Sequence, residues 1–236
     1  MHHVLVDQWS QGASPMHARD PRAKIVALVA FLVVLATTAP DAFATLAIDA
    51  ALLAAGILIA RLPLSGVLLR AMGVLPFSLT FGLMSWMAGD RLRALALVEK
   101  SYLSTVAVLL LIGTTPLPRL LSGLAALGTP RLLVLLAQFL YRYLFVISEQ
   151  AQHLRLAALC RQGAGTKHRR SRFRAAAGAL SVLFARSYYR AEGIHRAMLA
   201  RAFAGRFAPL KPLRFRASDA VFALATISFF ILVRVE

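Results

Sequence analysis

The chain has 236 residues, 59% of them hydrophobic, with a mean hydropathy of +0.68 and a formal net charge of +17. Such apolarity excludes an ordinary soluble domain, in which apolar residues make up about half of the chain. A single cysteine, Cys160, excludes a disulfide framework and a cysteine-based metal cluster.

In chain order, the first 20 residues mix acidic and basic side chains and are too long for the basic leader of a signal peptide, although "AFA" follows an apolar stretch at 42–44. A second apolar run comes at once, so both runs are expected as retained membrane helices. His2 and His3 are read as an exposed terminal pair in preference to a metal site. Apolar runs approaching the roughly 20 residues needed to cross a bilayer lie at 23–39, 42–60, 67–88, 97–115 and 217–234. The expected fold class is therefore an all-α polytopic membrane protein with about five transmembrane helices.

Asp49 stands in the middle of the second run, in "TLAIDAALLAAG". Acids inside a membrane are rare and face a protein interior, which leaves two readings: a functional polar site, or a carboxyl bonded to a neighbouring helix. Arg70, in the third run, is a candidate partner, with snorkelling to the interface as the alternative. Without a second carboxylate nearby, proton transport has little support.

Residues 114–216 hold 18 Lys/Arg against 2 Asp/Glu, a net +16, whereas the rest of the chain holds 9 against 8, a net +1. Basic loops stay cytoplasmic. This block and the four runs before it place the N-terminus inside and the C-terminus outside. The domains expected are 1–113 with four spans, 114–216 as a basic cytoplasmic domain inserted before the last span, and 217–236 as that span. A sixth apolar run, 132–147, is short, contains Gln138 and Arg142, and continues into polar sequence. Counting it as a span would carry "KHRRSRFR" outside, so a long cytoplasmic or interfacial helix over 130–160 is expected instead. Anionic lipid is the partner that this charge calls for most simply.

Within the block, Pro116 and Pro118 precede a short helix at 119–127, closed by Gly128 and Pro130. From 176 to 202, Leu180, Leu183, Phe184, Tyr188, Ala191, Ile194, Met198 and Leu199 recur at helical spacing, so one face can rest on apolar surface. Two helices then end alike: Arg161 precedes Gly163 in "ALCRQGAG", and Arg201 precedes Gly205 in "MLARAFAGRF". A cation in the last turn suits the helix dipole and a glycine suits the stop, so both arginines can be ordinary helix-end charges. They can equally present their rigid forks to carboxylates of another chain. No phosphate-binding loop, zinc-protease motif or serine-hydrolase elbow is present. An intramembrane enzyme of lipid or prenyl metabolism, using Asp49 and the basic block, is the competing class. It lacks the paired carboxylates needed to hold Mg²⁺.

At these residues the chain resembles the transmembrane T components of energy-coupling factor transporters, the EcfT/CbiQ family. "SPMHARDPRAK", 14–24, resembles the opening common in CbiQ-type members, "YRYLFVISEQAQHLRLAALCRQG" resembles the helix leading to the first signature arginine, and "YYRAEGIHRAMLARAFAG", 188–205, resembles the second signature region. The resemblance implies a non-catalytic coupling subunit without a cofactor. Its implied partners are two ABC ATPases and a substrate-binding membrane subunit. It also implies that two X-Arg-X signatures dock in the ATPases, here Cys160-Arg161-Gln162 and Ala200-Arg201-Ala202. Gln162 and Ala202 depart from the family's usual glycine or serine. The opening motif points to the cobalt/nickel branch over the vitamin branches, in the bacterial inner membrane.

Overall fold

A computed structural model describes residues 9–10, 12–162, 169–205 and 215–235. His2, His3 and Gly163 lie outside these residues. Among those described, the secondary structure is helical without strands: α1 (Pro21–Thr37), α2 (Phe43–Ala60), α3 (Leu64–Ala71), α4 (Leu75–Met87), α5 (Arg91–Thr114), α6 (Leu117–Ala126), α7 (Arg131–Gln162), α8 (Arg169–Ala200) and α9 (Ala217–Val235). Two compact units result, one from Met1–Gly128 with Lys211–Glu236, the other from Thr129–Leu210.

In the first unit α5 is the hub, packing on α1, α2, α3 and α4, while α9 packs along α1. Local chemistry sets the starts of these helices. Asp20 caps α1 by accepting the Arg22 N–H at 2.9 Å, and Pro21 opens the first turn with its φ already helical. Asp90 caps α5 in the same way through the Arg93 N–H. The third run is interrupted: residues Met72–Val74 form a 3₁₀ turn between α3 and α4, just ahead of Pro76, whose ring cannot sit inside a regular helix. Both pieces are apolar, so hydropathy alone carries no mark of the break.

Leu35, Leu46, Ile57 and Val67 are fully buried where these helices meet. The close approach of α4 to α5 depends on Gly82, since a Cβ there would stand 3.0 Å from Val98 Cγ2. Lysines pin α5 antiparallel to α1 at both ends: Lys100 donates to the Thr38 carbonyl, and Lys24 Nζ donates to the Thr114 carbonyl (3.0 Å) and to Thr115 Oγ1 (2.8 Å). The short helix α6 packs against α1 and so belongs to this first unit.

The second unit is a pair of 32-residue helices, α7 and α8, packed on each other. Alanines 151, 158, 176 and 179 line an open groove between them with Leu154 and Leu183. Much of the expected apolar stripe of α8 is exposed, including Leu180, Phe184, Tyr188 and Leu199. By length and composition Leu64–Met87, Arg91–Thr114 and also Arg131–Arg161 are long and apolar enough to cross a membrane, whereas Ala44–Ala60 and Ala217–Thr226 are shorter apolar helices. By length and apolarity α7 is thus as able to cross a membrane as α5.

Candidate functional site

Helix α7 stays regular through Cys160, Arg161 and Gln162, which puts Arg161 in its last turn, beside the carbonyl end of the helix dipole. Cys160 and Arg161 are both exposed, and the Gln162 side chain lies outside the described residues.

Helix α8 ends otherwise than its sequence suggests. Gly205 was the expected stop, yet the chain reverses three residues earlier, at Ala202, whose φ is +51°. The Phe203 N–H donates to the Met198 carbonyl and the Ala202 N–H to the Leu199 carbonyl, both at 3.0 Å. These are the two bonds of a Schellman cap, with Arg201 as the residue where helix gives way to turn. They satisfy carbonyls that the helix leaves open, and this compensates the about 1–2 kcal/mol that an L-residue loses in the left-handed region. The departure from glycine noted in the sequence therefore falls on a residue that does adopt a glycine-like conformation.

Arg201 is exposed and forms no ion pair with a described residue. Arg196, one turn earlier, is instead neutralised by Glu192 on the same helix. Arg201 therefore offers its fork outward. A 32-residue helix rises about 48 Å. Arg201 stands at the far end of α8, and Arg161 lies on α7 just ahead of the connection into its near end. One acidic groove cannot easily take both.

The opening motif is built into a polar knot at one end of the first unit. His17 Nε2 donates to the Trp9 carbonyl at 2.9 Å, and the Ser14 hydroxyl lies 2.7 Å from His17 Nδ1. Asp219, 3% exposed, accepts the Arg216 N–H (3.0 Å) and the Asp20 N–H (3.4 Å), with the Arg19 guanidinium 3.7 Å away. The knot joins the starts of α1 and α9 to the end of α5, where Lys24 sits. Asp219 and Trp9 carry no label in the sequence. The available signal was an acid in the first turn of the last span, which a helix N-terminus favours.

Asp49 and Arg70 do not pair. Asp49 is 1% exposed, and its Oδ1 has no hydrogen-bond partner. Arg70 lays its guanidinium over the Trp9 ring, 3.8 Å from the centroid. That stacking supplies a partner for the cation without the carboxylate. Gly66 makes room for the indole, since a Cβ there would meet Trp9 Cζ2 at 3.0 Å. Among the described residues no three His, Cys, Asp or Glu cluster as metal ligands.

Comparison with known proteins shows the family of the chain. The family described as cobalt transport protein, CbiQ, matches residues 12–211. The energy-coupling factor transporter transmembrane protein EcfT of Bacillus selenitireducens (strain ATCC 700615 / DSM 15326 / MLS10) is 30% identical over 234 residues, covering 86% of this chain and 84% of that protein.

Proposed function

Because the chain belongs to the CbiQ cobalt transport protein family and is a transmembrane component of the energy-coupling factor type, we propose that it couples two cytoplasmic ABC ATPases to a CbiM-like substrate-binding membrane subunit for uptake of cobalt or nickel. Arg161 and Arg201 each dock in an acidic groove of one ATPase. ATP hydrolysis belongs to the ATPases, and this chain transmits the movement.

The observation that carries this reading is the placement of two exposed, outward-facing guanidinium groups at the ends of long helices, one on each side of α8. A subunit that serves two ATPases needs two such contacts, well separated. Arginine suits each because its fork bonds a carboxylate through two parallel hydrogen bonds.

In this reading the chain sits in the bacterial inner membrane with a cytoplasmic N-terminus and an external C-terminus. The basic segment 114–216 faces the cytoplasm and the anionic lipid of the inner leaflet. Truncating one member of a buried, hydrogen-bonded interfacial charge pair costs about 2–5 kcal/mol. Arg161→Ala or Arg201→Ala should each weaken ATPase retention, and the double variant should lose both ATPases and metal uptake while the membrane part still folds. The readouts are ATPase co-purification and uptake of cobalt, nickel and biotin. A double variant that keeps both ATPases and transports normally would return the arginines to ordinary helix-end charges. Uptake of biotin alone would assign the chain to a vitamin branch.

A further inference from the structure

Inside the first unit, a cavity of about 370 Å³ opens between α1, α2, α5 and α9. Its walls are apolar: Leu28 and Phe31 from α1, Ile59 from α2, Leu111 from α5 and Phe222 from α9. One end is different. There Arg19 and Lys24 line the cavity together with Thr114, and among the described residues no acidic side chain lines it.

The two cations are only partly used. Lys24, 5% exposed, donates to the Thr114 carbonyl and to Thr115 Oγ1, which leaves the third N–H of its ammonium available. Arg19 reaches Asp219 through one terminal nitrogen at 3.7 Å and keeps a 32% exposed side chain. Asp20 and Asp219, the acids of the adjoining knot, are outside the lining and accept from backbone N–H groups; Asp20 also faces Arg22, and Asp219 takes up part of the charge of Arg19. The cavity begins at Lys24 and reaches Phe31, seven residues along α1, a rise of about 10 Å. It therefore has a cationic head and an apolar tail, running along apolar helices that include α5, which is long and apolar enough to cross a membrane.

We propose that this cavity is a specific site for one anionic phospholipid, its phosphate at Arg19 and Lys24 and the first part of an acyl chain along α1, α5 and α9. The occupant follows from charge and position. A water-soluble anion gains nothing from the apolar walls, and a zwitterionic lipid brings a second cation to a mouth that already holds two. Among the described residues, Thr114 is the one member of the basic segment 114–216 that lines the site, and none of that segment's cations does; their attraction for lipid is diffuse.

The test is native mass spectrometry of the chain taken from vesicles of phosphatidylglycerol or phosphatidylcholine. Wild type should retain one phosphatidylglycerol, favoured over phosphatidylcholine by about fivefold for each engaged cation. Ala55 lines the cavity and is exposed on α2, so Ala55→Trp should fill the tail region and reduce retention of phosphatidylglycerol without opening the core. Arg19→Gln should reduce the preference for phosphatidylglycerol while leaving phosphatidylcholine retention unchanged. Should Ala55→Trp fail to fold, a fluorophore on Ala55→Cys in a Cys160→Ser background should be quenched more by chain-labelled phosphatidylglycerol than by chain-labelled phosphatidylcholine. Equal retention of the two lipids, equal quenching by them, or a folded Ala55→Trp variant that holds phosphatidylglycerol as wild type does would overturn the proposal. So would crosslinking from position 55 to a membrane partner that displaces the lipid.

Discussion

Ala202 offers the sharpest test of how the second signature is held. Its φ of +51° places an L-residue in the left-handed region, and the Schellman bonds from Phe203 and Ala202 hold it there. Ala202→Gly removes a strain of about 1–2 kcal/mol, offset by the about 0.4–1 kcal/mol of extra freedom that glycine brings to the open helix end. At the midpoints of these ranges the net gain is about 0.8 kcal/mol, a roughly fourfold shift toward the closed cap. Ala202→Val acts in the opposite sense, because a β-branched residue at positive φ is a genuine outlier. Amide hydrogen exchange over residues 198–205 reads both. The Ala202 and Phe203 amides should exchange about fourfold more slowly in the glycine variant and faster than wild type in the valine variant. Since Arg201 immediately precedes the reversal, the valine variant should also lose ATPase retention with every charge unchanged. Exchange that is the same in all three proteins would refute the cap as the element that orients Arg201.

Three further outcomes are expected. Asp219→Ala strands the Arg216 and Asp20 N–H groups and the Arg19 guanidinium, so the detergent-solubilised protein should lose about 2–4 kcal/mol of stability, and an unchanged melting curve would remove the knot's structural role. Asp49→Asn keeps the shape of a buried side chain whose Oδ1 has no partner, so assembly and transport should be retained; lost transport with normal assembly would make Asp49 a functional site. Finally, a reporter active only outside the cytoplasm should work when fused after the last residue, and a signal only from a cytoplasmic reporter there would count α7 as a span.

The sequence by itself determined what depends on nearby residues. Apolar runs give the helices α1, α2, α5 and α9, of which α5 is long and apolar enough to cross a membrane, and the clustering of 18 Lys/Arg in 114–216 marks the basic segment. The arginines at the ends of α7 and α8 were legible for the same reason, since a helix end leaves a local signature. Other features are visible only in the folded chain. The stop of α8 moved from Gly205 to Ala202 because the Schellman bonds outweigh the backbone preference of a single residue. The third apolar run broke at Met72–Val74, where Pro76 forbids what hydropathy permits. Arg70 chose Trp9 over Asp49, and Lys24 found Thr114 and Thr115, 90 and 91 positions away, while Asp219 met Asp20 across 199. Contacts between residues so far apart are set by which helices pack side by side, and no periodicity within one helix encodes that choice.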